Sequence, residues 1–273
     1  MRKKKAQKTK SSSTLPSNRV ELFFDVIKQR WRLLILLGFF FFLSILPFLA
    51  ILVLRRVFVL SSNDNYQFFV SNLFFFLIAS ISILIISISL GGILKNLKHL
   101  SYEEPIFLKD DLVQGIKESF LPLLLAIFIF SILFFLNISV CLFPTAHIAF
   151  KGIAAGALVF VFFPYLMVIV NQISVYSNSI KDYFHNSLLV FIKNYFRVLL
   201  VSLINLAPIL LFLISNAIIL STCLFLYFIL INPFVLIFDV IYFNYIFDIS
   251  INKEYYPDIF EKGLFKEKDV GDN

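Results

Sequence analysis

Charge is scarce in this chain: 15% of its 273 residues are charged, and several long stretches carry no charge at all. Cysteine is scarcer still. Cys141 and Cys223 are too few for a disulfide framework and lack metal-ligand spacing, so neither a stapled secreted fold nor a zinc site is expected. No phosphate-cradling Gly loop, His-Glu-x-x-His pair or Gly-x-Ser-x-Gly elbow occurs. His99, His147 and His185 fall in three different connections. These absences speak against an enzyme, and no cofactor and no metal ion is expected. The Lys-rich start has no interleaved aromatics to stack on bases, so no nucleic-acid partner is expected either.

What is present is apolar, with hydrophobic residues making up 60% of the chain. Uncharged runs cover 33–54, 68–94, 120–146, 152–180 and 198–238. One bilayer crossing takes roughly 20 apolar residues, so the last run is long enough to cross twice. The expected fold class is therefore all-α, a polytopic membrane protein with six transmembrane helices. The expected division is a basic, disordered cytoplasmic tail at 1–19, a six-helix membrane domain at 20–260 and a cytoplasmic C-terminal tail at 261–273. The first run shows no small-x-small cleavage site and reads as an uncleaved first helix.

Orientation follows from the basic residues, because cytoplasmic loops retain positive charge during insertion. Of the 24 Lys and Arg, 21 fall in the N-terminal segment, the even-numbered loops and the tail, against Arg55, Arg56 and Lys151 in odd-numbered loops. Both termini are expected in the cytoplasm of a cell with this chain in its plasma membrane. Anionic inner-leaflet lipids are the expected partners of the basic tail, at about 1 kcal/mol per Lys or Arg.

A repeat recurs before alternate runs. The chain reads Phe23-Phe24-x-x-Ile27-Lys28-x-x-Trp31, then Leu112-Val113-x-x-Ile116-Lys117-x-x-Phe120, then Leu188-Leu189-x-x-Ile192-Lys193-x-x-Phe196. Apolar positions at i, i+3 and i+7 share one helical face, which predicts three helix-hairpin repeats, each entered through an interfacial amphipathic helix. Gly152-x-x-x-Gly156, flanked by Ala149, Ala154, Ala155 and Ala157, lets helix backbones approach closely. An intrachain contact is the expected use, with a homodimer through Gly152 and Gly156 as the alternative. Ionisable residues within spans mark proton relays and ion sites, and the runs contain none apart from His147 at an edge. Coupling to an ion gradient is accordingly not expected.

Several segments resemble the YesL-like proteins, a bacterial membrane family of unknown function. They are Gly91-Gly92-Ile93-Leu94-Lys95-Asn96-Leu97, Glu103-Glu104-Pro105-Ile106-Phe107 and Lys109-Asp110-Asp111-x-x-x-Gly115-Ile116-Lys117. Asn186-Ser187, Lys193-Asn194 and Phe247-Asp248-x-x-Ile251-Asn252-Lys253-x-x-Tyr256-Pro257-x-x-Phe260-x-x-Gly263 are similar to later parts of such proteins. The resemblance covers about 20–265; a longer first outer loop with Arg55, Arg56 and Asp64 departs from it. It implies an accessory role near carbohydrate uptake. Two functional readings result. One is a non-catalytic accessory or assembly partner of a membrane complex, with Glu103, Glu104, Asp110, Asp111, Lys117, Lys193, Asn252 and Lys253 as candidate contacts to a membrane protein partner. The other is an uncoupled carrier or facilitator for a neutral or lipid-like substrate, its path lined by Ser and Asn.

Overall fold

The computed structural model describes residues 15–59, 65–143 and 145–265. Most of the basic N-terminal tail and the end of the C-terminal tail lie outside those residues. The chain is all-helical, with no strand among the described residues. Its helices are α1 (Arg19–Val59), α2 (Asn65–Ser101), α3 (Leu108–Leu142), α4 (Ile148–Val175), α5 (Ile180–Lys193), α6 (Tyr195–Leu213) and α7 (Ile218–Tyr255). Six of them, all except α5, are long and apolar enough to cross a membrane. The chain is therefore a multi-pass membrane protein.

Each helix buries one stripe and leaves the rest to lipid. On α3 the stripe is Leu123, Ala126 and Phe130; on α7 it is Ile237, Val240, Ile241, Asn244 and Phe247, at the i, i+3, i+4, i+7 spacing of a helical face. These side chains meet Leu34 and Leu37 of α1, Ile93 and Leu97 of α2, and Val168 and Ile169 of α4 in one apolar core. α5 is different: it buries Tyr183, Ser187, Val190 and Phe191 and exposes Lys181, Asp182, His185 and Lys193, so it is amphipathic rather than spanning. Ser179 caps it, accepting from the Asp182 N–H at 3.3 Å.

Proline and glycine shape the bundle. Pro164 and Pro233 have no N–H to give residues four positions back, Phe160 and Ile229, and those residues lie in one-turn π segments at Leu158–Phe162 and Tyr227–Ile231. Gly38 of α1 receives the Pro233 ring, which a β-carbon there would strike. α2 and α3 cross at Gly91, Gly92 and Gly115. A β-carbon on Gly115 would stand 2.8 Å from Lys95 Cβ and closer still to the Gly91 carbonyl oxygen. This crossing was hidden in the sequence behind the Gly152–Gly156 motif, which makes no close intrachain contact: a β-carbon at Gly152 meets nothing within 4 Å, and one at Gly156 meets only Phe160.

The repeat segments are all helical, but their backbones differ. α1 kinks at Arg30 (φ −125°, ψ 15°), and the chain breaks at Asn194 (φ −121°, ψ 28°) between α5 and α6, one position apart in the repeat register. The second copy runs unbroken through α3. The fold does not by itself establish a threefold relation among the hairpins. Trp31 and Phe196, two of the aromatic anchors, are exposed.

One expectation is overturned. The last span does not end at Phe238 but continues to Tyr255, and the turn before it is Ile214–Asn216, Asn216 capping α7 by accepting from Ile218 and Ile219. Asp239 therefore lies within the last long apolar helix, one residue past the uncharged run that ends at Phe238. It is 3% exposed and accepts a 2.8 Å hydrogen bond from Asn205 Nδ2, tying α6 to α7.

Candidate functional site at the terminal face

Both ends of the described chain meet at one end of the bundle, the terminal face. Arg19 Nη2 pairs with Asp248 Oδ2 at 2.7 Å, Arg19 Nη1 donates to the Lys262 carbonyl at 2.9 Å, and Phe265 N–H donates to the Pro16 carbonyl at 3.0 Å. The side chains of Arg19 and Asp248 are 10% and 6% exposed, so this ion pair is largely withdrawn from water. A π segment at Asp248–Asn252 sets the next link: Asn252 Nδ2 donates to Asp248 Oδ1 at 2.8 Å, and Tyr176 O–H donates to Asn252 Oδ1. Tyr183 O–H then donates to the Tyr176 carbonyl at 2.6 Å. A continuous polar chain thus runs from α1 through α7 to the α4–α5 connection.

A second branch starts on α2. Lys98 Nζ donates to the Val175 carbonyl at 3.0 Å, so its ammonium sits where α2 and α4 both end and opposes the negative poles of two helices. Ser101 Oγ donates to the Lys98 carbonyl and accepts from Asn244 Nδ2 at 2.9 Å. Tyr102 is 5% exposed, lies beneath the ammonium groups of Lys98 (5.9 Å) and Lys262 (5.2 Å), and its hydroxyl has no hydrogen-bond partner among the described residues. Burial, reinforced by the nearby Asp248 charge, pushes the Tyr102 phenol well above its ordinary range. Burial does the same to Tyr176.

The expected contact residues divide. Glu104 and Asp111 converge on His99, at 3.5 Å from Nε2 and 3.3 Å from Nδ1, and Glu104 also pairs with Lys262. Asp111 accepts from the Phe107 N–H at 2.8 Å and so holds the start of α3; Asn252 is 1% exposed within the polar chain. These three fasten the fold. Glu103, Asp110, Lys117, Lys193 and Lys253 are exposed, and Lys117 and Lys193 stand apart from the network. Glu103 takes a left-handed conformation (φ 55°) as the chain leaves α2, and burial raises its carboxyl above the usual range against the lowering effect of Arg30. Residues 261–265, expected as tail, are docked through Lys262 and Phe265.

Sequence reasoning missed Arg19, Lys98, Tyr102, Tyr176, Asp239, Asn244 and Asp248. The i, i+4 spacing of Asp248 and Asn252 was the available signal; the others depend on distant partners, 34 residues away for Asp239 and more than 70 for Tyr176–Asn252 and Lys98–Val175. Among the described residues no group of three or more His, Cys, Asp and Glu is arranged to hold a metal. Both cysteines are free thiols.

Compared with protein-family models, curated proteins and solved structures, this chain matches none.

Proposed function

We propose that the chain is a non-catalytic accessory or assembly partner of a membrane complex in the plasma membrane, with the terminal face in the cytoplasm. The observation that carries this reading is how the polar groups are spent. Arg19, Asp248, Asn252, Tyr176, Lys98, Glu104 and Lys262 clamp helices to one another, the largest fully buried side chains are apolar, and buried polar groups such as Asn205–Asp239 and Ser187–Gln172 pair with one another across helices. The exposed charges Asp110, Lys117 and Lys193 remain available to a partner. The resemblance to YesL-like proteins supports a place near carbohydrate uptake, and the Lys and Arg asymmetry supports the orientation.

Purification of the full chain from native membranes in mild detergent tests the role. A stoichiometric protein partner, lost in an Asp110→Lys, Lys117→Glu, Lys193→Glu triple variant that keeps its melting temperature, is the expected result. A chain that runs alone, and whose deletion leaves membrane complexes and sugar uptake unchanged, overturns it. Orientation is read in a variant without Cys141 and Cys223: an impermeant thiol reagent on intact cells should label Ser215→Cys and spare Ser177→Cys.

A further inference from the structure

A half-open groove of about 950 Å³ runs beside the terminal face between the start of α1, the second half of α7 and the docked segment ending at Phe265. Its lining grades from wholly apolar, at Phe23, Phe238 and Ile241, to polar at Arg19, Asp248 and Lys253. We infer that this groove is a specific site for an anionic phospholipid of the bilayer, with an acyl chain along the phenylalanines and the phosphate facing Lys253 and Arg197.

Length agrees with that occupant. From Phe238 to Lys253 the helix advances roughly 20 Å, which matches half of a bilayer core, about 15 Å, plus the headgroup layer. Charge agrees as well. Arg19 is already neutralised by Asp248, whereas Lys253 is exposed and makes no ion pair among the described residues. Arg197, exposed, lies 5.9 Å from the ring of the groove residue Tyr245, donates to the neutral Asn194 Oδ1 at 3.3 Å and makes no ion pair among the described residues. Within the lining Lys253 stands against Glu261, and Arg197, beside the lining residue Tyr245, supplies the excess positive charge at the rim. The chain's own flanking segments do not suit the apolar end: 1–14 is rich in Lys and Ser, and 266–273 in Lys, Asp and Glu. Open apolar surface here is substantial, since Phe24 is 63% and Ile249 42% exposed.

This inference rests on the membrane placement and not on the accessory role, so the two fail separately. The full chain is reconstituted in nanodiscs containing equal phosphatidylglycerol and phosphatidylcholine, and the lipid retained on re-extraction is quantified. Wild type should retain phosphatidylglycerol preferentially, by roughly fivefold for each cation at the rim. Arg197→Glu with Lys253→Glu, both exposed positions, should abolish the preference, and Ile249→Trp should reduce total retained lipid while leaving the melting temperature in place. Equal retention of the two lipids by wild type, or a preference that survives the charge reversal, overturns the site. So does a photo-crosslinker at Ile249 that tags a protein instead of lipid.

Discussion

Gly115→Ala adds one methyl group at the tightest place in the bundle. Its β-carbon would meet Lys95 Cβ at 2.8 Å and the Gly91 carbonyl carbon at 3.0 Å, and would press harder on the Gly91 oxygen. Ordinary carbon contacts lie near 3.5–4.0 Å, so α2 and α3 must separate by up to about 1 Å. The atoms in the way are the Gly91 backbone and the Lys95 Cβ, which is bonded directly to backbone, and neither can swing aside as the end of a side chain would. Overpacking of this kind costs about 1–3 kcal/mol. Relief of glycine's helix penalty returns about 1 kcal/mol, leaving a net loss of about 1–2 kcal/mol at the upper part of that range. At about 2–4 °C per kcal/mol for a chain of this size, the melting temperature should fall by about 2–8 °C. The free thiols Cys141 and Cys223, both half-buried, supply the assay: a thiol-reactive fluorophore reports their exposure as the detergent-solubilised protein is heated. Gly152→Ala is the control, since its β-carbon meets nothing within 4 Å. A Gly115→Ala protein that melts with wild type, or a Gly152→Ala protein that falls as far, would refute the reasoning.

Arg19→Gln leaves Asp248 buried without its cation, which costs about 3–5 kcal/mol, and limited proteolysis should then reach the segment around Lys262 that Arg19 holds. Tyr176→Phe strands the Asn252 side-chain oxygen and should cost about 1–3 kcal/mol in thermal melts, whereas Tyr102→Phe removes a hydroxyl with no partner and should cost nothing. Because burial raises both phenols in the folded state, their contribution is fully present below the unfolded value of about 10; it is lost as pH rises beyond that, so melting temperature should drop above about pH 10 and less steeply in the double Phe variant. Glu103→Gly relieves a left-handed backbone at no loss of a described hydrogen bond from the side chain and should raise stability by about 1 kcal/mol, read in the same melts.

Fold class was legible from the chain alone because lipid imposes one rule on every span: backbone groups must be satisfied internally, so a long uncharged run is a helix. Six spans, the even number that returns both ends to one side, follow from composition; the repeat put an amphipathic helix at 188–196, whereas the observed one is Ile180–Lys193 and ends inside that segment, at Asn194. Contact choice did not follow. Gly152, in the packing motif, faces open space and Gly156 would meet only Phe160, while Gly91 and Gly115, which carry no Gly-x-x-x-Gly motif, form the crossing. A small residue only permits close approach; which helix approaches is decided by the whole bundle. Asp239 could be counted along the chain, yet its burial against Asn205 of α6 depended on α7 continuing past it, through a π segment, to Tyr255. Likewise the partners in Arg19–Asp248 stand 229 residues apart, and an ion pair of that separation is set by the tertiary arrangement that brings both termini to one face, not by any local pattern.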